Sequence, residues 1–163
     1  MGYNHIDTAQ IYENESQVGK GIAESDRDRD DFFLASKVWI DQLGRKNVVE
    51  STEESLNKLQ TEYVDLMYIH WPAGEYSPEE TFEGFKKLKE RGLIKNIGVS
   101  NFTVEQMEEA MEHAEIFANQ VEMHPLLPQE ELLQACKEND VELVAYSPLA
   151  RGEVFNVEEI QEV

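Results

Sequence analysis

Cysteine is almost absent from this chain, since Cys136 is the single one among 163 residues. One cysteine excludes an internal disulfide and any metal site built from several thiolates. Cys136 lies in a helical pattern, and we expect its side chain to pack into the core. No run of about 18 apolar residues occurs, so no transmembrane helix is predicted. No basic segment followed by an apolar one opens the chain, which predicts no signal peptide and a cytoplasmic location.

Basic residues are also scarce, because 14 Lys and Arg face 34 Asp and Glu, for a net charge of −20. Such a potential repels nucleic acid and anionic membranes, so neither is expected as a partner. The acids are spread along the chain, as in 105–115, which predicts solvated helix faces. A second interpretation is adaptation to a salty cytoplasm, where screening removes the self-repulsion.

Apolar residues make up 40% of the sequence. Short apolar runs typical of strands alternate with longer amphipathic runs typical of helices, which predicts an α/β fold in one domain. Short runs rich in Val, Ile, Phe and Tyr predict strands at 4–7, 32–37, 64–70, 96–100, 118–122 and 141–146. Amphipathic runs predict helices at 16–25, 47–59, 81–91, 104–113 and 128–139. Thr81 and Thr103 are the predicted N-caps of two of these helices, and Gly92 the C-cap of one.

Two architectures fit this alternation, an open doubly wound sheet and a (β/α)8 TIM barrel. No Gly-x-Gly-x-x-Gly follows any predicted strand, so a Rossmann nucleotide site has no support. Polar residues instead follow the ends of successive strands, at Asp7, Lys37, His70, Ser100 and Tyr146. In a barrel these ends form one face, which is where barrel enzymes place their active sites. The pattern therefore favours the barrel.

The segment 2–19 places Asp7 and Tyr12 five residues apart, where the first predicted strand turns into a loop. An acid and a phenol in such a position are candidates for proton transfer. Lys37 stands in Ala-Ser-Lys-Val-Trp and His70 in Tyr-Ile-His-Trp-Pro, at the ends of the next two strands. Like Asp7, Lys37 and His70 are therefore polar residues at strand ends, on the face where a barrel carries its active site.

Three later segments follow in order at 93–102, 119–125 and 145–152. With the earlier motifs, they resemble the signatures of the aldo-keto reductase family from residue 2 to about residue 152. One departure is Asn4, where that family usually has Arg. The resemblance implies an oxidoreductase that reduces small aldehydes or ketones with NADPH as hydride donor.

For the reacting groups, the resemblance implies that Tyr12 protonates the carbonyl oxygen as general acid. Lys37 would stabilise the phenolate and lower the pKa of Tyr12 from its ordinary value near 10. Asp7 would pair with Lys37 and keep it charged, and His70 would orient the substrate by donating a hydrogen bond to its oxygen.

For the cofactor, the resemblance implies that Ser100, Asn101 and Gln120 bind the nicotinamide carboxamide. Tyr146 would stack beneath the nicotinamide ring, as an aromatic platform for a flat heterocycle.

Four further residues are placed by the same resemblance. Ser147 and Leu149 correspond to the loop that contacts the pyrophosphate, while Trp39 and Trp71 correspond to walls of the substrate pocket. NADPH is the expected cofactor, with NADH left open because the segment that grips the 2′-phosphate has no counterpart here.

The remaining histidines are interpreted as structural. His5 is assigned to the core of the first strand or to its backbone contacts, His113 to an acidic helix, and His124 to the ordering of its loop. No Cys or His residues stand at metal-ligand spacing, so no metal site is expected.

The motifs account for strands 2 to 7 of a barrel, in one partial domain over residues 1–163, so the first and eighth strands are expected to be missing. Such a sheet would leave two unpaired edges that invite self-association, and rows of inward apolar residues exposed to water. A gene fragment, a protein completed by a partner chain and a degraded remnant all fit. The alternative to an enzyme is a non-catalytic cofactor-binding or regulatory subunit, or an inactive fragment of such a reductase.

Overall fold

The computed structural model describes residues 2–161 and contains a six-stranded sheet. The strands are β1 (His5–Asp7), β2 (Phe33–Val38), β3 (Val64–Ile69), β4 (Ile94–Ser100), β5 (Ala118–Glu122) and β6 (Glu142–Tyr146). Every neighbouring pair is parallel, and the order in the sheet is the order in the chain. A doubly wound sheet reverses its strand order part-way, whereas a barrel does not. The predicted α/β partial barrel is therefore confirmed.

Five helices connect successive strands and lie outside the sheet, and a sixth, short helix follows the last strand. They are α1 (Glu15–Ala23), α2 (Arg45–Leu59), α3 (Pro78–Glu90), α4 (Val104–His113), α5 (Glu130–Glu138) and α6 (Glu158–Gln161). The Thr103 hydroxyl accepts the Gln106 N–H as the predicted N-cap of α4, and Gly92 follows α3 with a left-handed φ of 73°. Cys136 is buried on α5, as expected. No helix within residues 2–161 is both long and apolar enough to cross a membrane.

The predicted N-cap at Thr81 is wrong, because α3 begins earlier, with Pro78 in its first turn. Proline has a fixed φ and lacks an N–H, so it suits the start of a helix. Thr81 lies inside the helix instead, where its hydroxyl accepts the Ser77 N–H at 3.2 Å and donates to the Leu43 carbonyl at 2.7 Å. Those bonds join α3 to the segment after β2.

The main hydrophobic core lies between the outer face of the sheet and the helices. Val38, Ile69 and Val99 from three neighbouring strands are buried there against Phe85 and Leu88 of α3. Burial of each such side chain contributes about 1.5–3 kcal/mol. This layer fixes the strands and therefore the positions of the residues at their ends.

The inner face of the sheet is packed around one large side chain. Tyr68 is fully buried and stands in register with Lys37 on one side and Gly98 on the other. A Cβ on Gly98 would lie 2.5 Å from the Tyr68 ring, so only glycine leaves room for it. Ala35 and Ala118 are the other small, buried neighbours. The expected exposed rows of inward Val, Ile and Leu are therefore not found at the centre of the sheet, because small residues enclose a tyrosine there.

The sheet curls enough for residues from distant strands to meet across its inner face. Gln120 on β5 donates a hydrogen bond to Asp7 on β1, at 2.9 Å. Phe33 on β2 stacks on Phe117, the residue before β5, with ring centroids 6.2 Å apart. Within residues 2–161, β1 and β6 are the edge strands. The curl brings the carboxyl ends of the strands around a common centre.

Candidate active site

The carboxyl ends of the strands surround a cavity of about 690 Å³. Its lining includes most of the residues singled out from the sequence: Asp7, Tyr12, His70, Trp71, Ser100, Asn101, Gln120, Tyr146 and Ser147. The curl of the parallel sheet explains this meeting, because residues far apart in the chain end neighbouring strands.

Lys37 lies beneath the cavity and is 1% exposed. Its Nζ donates to the Asp7 carboxylate and, at 2.9 Å, to the Thr8 carbonyl. Burial lowers the pKa of Lys37, because the charged form loses water, while the negative charge of Asp7 opposes that shift. The result is an ion pair between a buried lysine and a carboxylate that lines the cavity, with the Asp7 side chain 31% exposed.

The Asp7 carboxylate is held by both of its oxygens. One accepts from Lys37 on β2, and the other accepts from the Gln120 amide on β5 at 2.9 Å. Each donor comes from a different strand, so the carboxylate cannot rotate without losing one of the two bonds. Asp7 is thus fixed in orientation as well as in position.

Tyr12 stands above this pair on a three-residue 3-10 turn, Gln10–Tyr12, and its side chain is half exposed. The Lys37 Nζ lies 5.2 Å from the centroid of its ring, and the His70 ring meets it edge-on at 5.7 Å. Burial raises the pKa of Tyr12, and the charge of Asp7 raises it further. The expected lowering of the Tyr12 pKa by Lys37 is therefore not found, because burial of the phenol and the negative charge of Asp7 both raise it. At neutral pH the phenol keeps its proton.

His70 follows β3 and is 7% exposed. Its ring meets the Trp39 ring edge-on, with centroids 5.0 Å apart, and also contacts Tyr12. Burial and the nearby Lys37 charge lower the pKa of His70 to about 4. The imidazole is therefore neutral at physiological pH and carries one N–H donor. Its Nδ1 is buried and has no hydrogen-bond partner among the described residues.

Asn101 joins the ends of three strands. It adopts a left-handed backbone conformation with φ of 63°, which asparagine tolerates better than most residues. Its Nδ2 donates to the His70 carbonyl and to the Ser100 hydroxyl, both at 3.1 Å. Its Oδ1 accepts the Tyr146 hydroxyl at 2.9 Å. Asn101 consequently orients residues on β3, β4 and β6 together.

The predicted nicotinamide ligands differ in how many of their polar groups are already engaged. The Ser100 hydroxyl accepts from Asn101 and donates to the Gln120 carbonyl at 2.8 Å. Gln120 uses one amide N–H for Asp7, and its Oε1 has no hydrogen-bond partner within residues 2–161. A carboxamide with a donor and an acceptor fits this corner of the cavity, with Gln120 offering the free acceptor.

Three predicted residues lie outside the lining of this cavity, namely Lys37, which lies beneath it, Trp39 and Leu149. Trp39 contacts the edge of the His70 ring but faces a separate groove that it shares with Gln10 and Ser55. Leu149 is 55% exposed and does not line the cavity in this structure. Ser147, two residues earlier, does line it.

Three residues of the lining were missed by sequence reasoning, namely His5, Val144 and Ala145. The assignment of His5 to the strand core is wrong, because its side chain is exposed and meets the Phe33 ring edge-on at 5.1 Å. The signal was present in the sequence, since His5 precedes Asp7 by two residues and strand side chains alternate. Val144 likewise precedes Tyr146 by two.

A family model described as the aldo/keto reductase family matches residues 1–161. The chain belongs to the aldo/keto reductase family. The six parallel strands with helices between them are the corresponding part of its barrel, and the cavity lies at the face where barrel enzymes carry their active sites.

Named members of the family are similar along almost the whole chain. The glyoxal reductase of Bacillus subtilis (strain 168) is 44% identical over 99% of this chain and 59% of its own length. The methylglyoxal reductase of Yersinia pestis is 42% identical over 95% of this chain and 60% of its own length. An aldo-keto reductase of Bombyx mori, solved in complex with NADP, is 36% identical with a TM-score of 0.85. That match covers 90% of this chain and 52% of the other. The chain thus spans about 60% of the length of the curated relatives.

Proposed function

We propose that this chain carries the active site of a reductase that converts small aldehydes or ketones to alcohols with NADPH. The observation that supports the proposal best is the ion pair of the buried Lys37 with Asp7, next to a half-exposed phenol and a neutral imidazole. A proton donor and an uncharged hydrogen-bond donor at one cavity suit a carbonyl oxygen that gains negative charge as it is reduced.

In this proposal Tyr12 gives its proton to the oxygen of the substrate as general acid. Its raised pKa keeps it protonated at neutral pH, which is the form that reduction consumes. Lys37 has used two of its three N–H donors on Asp7 and Thr8, so the third is available to stabilise the phenolate as it forms. His70 orients the carbonyl by donating its single N–H.

NADPH is the proposed cofactor, with NADH as the alternative. When bound, NADPH supplies the hydride that the carbonyl carbon accepts. Ser100, Asn101 and Gln120 would bind the carboxamide, with Tyr146 against the ring. Engagement of Asn101 by the carboxamide would compete with its bond to the Tyr146 hydroxyl.

The same proposal gives Ser147 and Leu149 contacts to the pyrophosphate, and makes Trp71 and Trp39 walls around the substrate. The names of the two bacterial relatives point to short dicarbonyl compounds such as glyoxal and methylglyoxal as the first substrates to test. Trp71 is 42% exposed at the rim of the cavity, where it can cover a small molecule.

The competing proposal is a cofactor-binding subunit without activity. It is favoured by the sheet edges at β1 and β6 within the described residues, since an unpaired edge can pair with a partner chain. This alternative predicts that the chain binds NADPH but does not oxidise it.

The two proposals are separated by NADPH oxidation measured with methylglyoxal and a panel of aldehydes. We expect Tyr12→Phe to lower the turnover rate by about 100-fold or more while NADPH binding persists. Tyr3→Phe is the matched control, since Tyr3 is 83% exposed and does not line the cavity. Equal rates in wild type and Tyr12→Phe would refute the role of Tyr12. Binding of NADPH with no oxidation in the wild type would favour the subunit.

A further inference from the structure

The turn that carries Tyr12 has little structure of its own. Gln10–Tyr12 is a single 3-10 turn, closed by a hydrogen bond from the Tyr12 N–H to the Ala9 carbonyl at 3.1 Å. A turn of that length is not stable without support from the surrounding structure. Tyr12 is also half exposed, so burial of its own ring does not fix it. Other side chains must therefore hold the phenol in position.

Gln10 supplies two such contacts with one amide group. Its Oε1 accepts the backbone N–H of Trp39 at 2.9 Å, and its Nε2 donates to the Ser55 hydroxyl at 3.2 Å. Trp39 directly follows β2 and lies two residues beyond Lys37, whereas Ser55 is buried on α2. Gln10 thus bridges the turn of Tyr12 to the strand of Lys37 and to the helix behind it.

The chain after the turn is held by different residues. The Thr8 hydroxyl donates to the Asn14 side chain at 2.5 Å, across the turn from one end to the other. Glu15, buried at the start of α1, accepts the Ser36 hydroxyl of β2 at 2.7 Å. These bonds fix where the turn begins and ends. Among the side-chain hydrogen bonds of the described residues, those of the Gln10 amide reach from within the turn itself to other elements.

We propose that Gln10 is a positioning residue, which sets the place of the Tyr12 phenol relative to Lys37 and His70. The inference rests on the proposed function of Tyr12 as proton donor. An amide suits the role because it offers an acceptor and a donor at once, as Trp39 N–H and Ser55 require. Small displacements of reacting groups have large effects on rate, so the contact matters for turnover although Gln10 touches no substrate.

The test compares Gln10→Met, which keeps the length of the side chain but removes both hydrogen bonds, with Gln17→Met. Gln17 is exposed on α1, and the substitution there has the same chemistry. We expect the Trp39 amide hydrogen to exchange about 10-fold faster in Gln10→Met only. We also expect the NMR shifts of the His70 ring protons to change, because the Tyr12 ring meets that ring edge-on.

Steady-state kinetics distinguish a positioning role of Gln10 from a merely structural one. In Gln10→Met we expect kcat to fall about 10-fold, with KM for NADPH and for the aldehyde nearly unchanged. Gln10→Glu retains an acceptor for the Trp39 N–H and is expected to recover part of the loss. Ser55→Ala removes one bond without altering Gln10, and its effect should disappear when it is combined with Gln10→Met.

Failure of this inference can be told apart from failure of the proposed function. If the wild type does not oxidise NADPH, the exchange and NMR measurements still report whether Gln10 fixes the turn. Unchanged Trp39 exchange and His70 shifts in a folded Gln10→Met would overturn the inference. Equal losses of kcat in Gln10→Met and Gln17→Met would do so as well. Ser55→Ala takes the place of Gln10→Met if the latter does not fold.

Discussion

Gln120 donates a hydrogen bond to Asp7 at 2.9 Å, although the two residues lie on strands that are four positions apart in the sheet. The bond crosses the inner face and exists only because the sheet curls. It connects a proposed cofactor ligand with the carboxylate that pairs with Lys37. The orientation of the Asp7 carboxylate toward Lys37 therefore depends on the curl of the sheet.

Replacement of Gln120 by Leu is expected to lower the free energy of unfolding by about 1 kcal/mol. The reason is that one Asp7 oxygen loses its donor, and a hydrogen bond to a charged group contributes somewhat more than a neutral one. Urea unfolding followed by circular dichroism measures the change. Gln17→Leu, on the exposed side of α1, serves as control and should leave the value unchanged. An equal stability of both variants and the wild type would contradict the importance of the Gln120–Asp7 bond.

The low pKa of His70 predicts how stability depends on pH. The folded state holds His70 neutral down to about pH 4, whereas an unfolded histidine titrates near 6.5. Between those values the unfolded chain binds more protons, so stability is full above about 6.5 and decreases as the pH falls toward 4. The His70 contribution across this window is about 3 kcal/mol.

That dependence is checked by comparing the wild type with His70→Gln. Urea unfolding at several pH values should show a smaller slope in the variant between pH 6.5 and 4. An NMR titration of the folded protein reports the pKa of His70 directly. A value near 6.5 would show that the imidazole is not held neutral by its surroundings.

Gly98→Ala is expected to be strongly destabilising, because the new methyl group would lie 2.5 Å from the Tyr68 ring. Overpacking of this kind costs about 1–3 kcal/mol. Gly21→Ala is the matched control, since a Cβ there meets nothing within 4 Å and alanine favours the helix by about 1 kcal/mol. Thermal unfolding should therefore move in opposite directions for the two variants. A neutral Gly98→Ala would mean that Tyr68 does not fill the inner face as described.

The acidic composition predicts that salt stabilises the protein. With 34 acids against 14 bases, self-repulsion is large at low ionic strength, and the Debye length falls from about 10 Å at 0.1 M to about 3 Å at 1 M. The thermal midpoint should rise between about 0.1 and 2 M KCl. A variant with Glu108→Gln and Glu112→Gln on α4 should show a smaller rise. A midpoint that does not respond to KCl would count against adaptation to high salt.

The sequence predicted the elements of this fold well where periodicity was strong. All six strands and five of the helices follow from apolar spacing, and the strand ends agree within two residues. The start of α3 was misjudged because Thr81 resembles a cap, while Pro78 three residues earlier is the better signal. Local patterns identify elements because the burial that stabilises them follows the same period.

The site was predictable as a set of residues but not in its energetics. The order of Asp7, Tyr12, Lys37 and His70 along the chain places them at strand ends that meet. The direction of the Tyr12 pKa shift depends on how deeply the phenol is buried and how close Asp7 lies, and both follow from the three-dimensional structure. The bonds of Gln10 join segments 29 and 45 residues apart, and no local pattern encodes them.

Lys37 is the one buried lysine of the chain, all of whose lysines fall within residues 2–161. Reagents that acylate amines reach surface lysines first, so modification of Lys37 requires the interior of the sheet to open. The rate at which Lys37 is labelled therefore measures how often the inner face becomes accessible to solvent. The labelling rate of Lys37 thus reports the frequency at which the partial barrel opens.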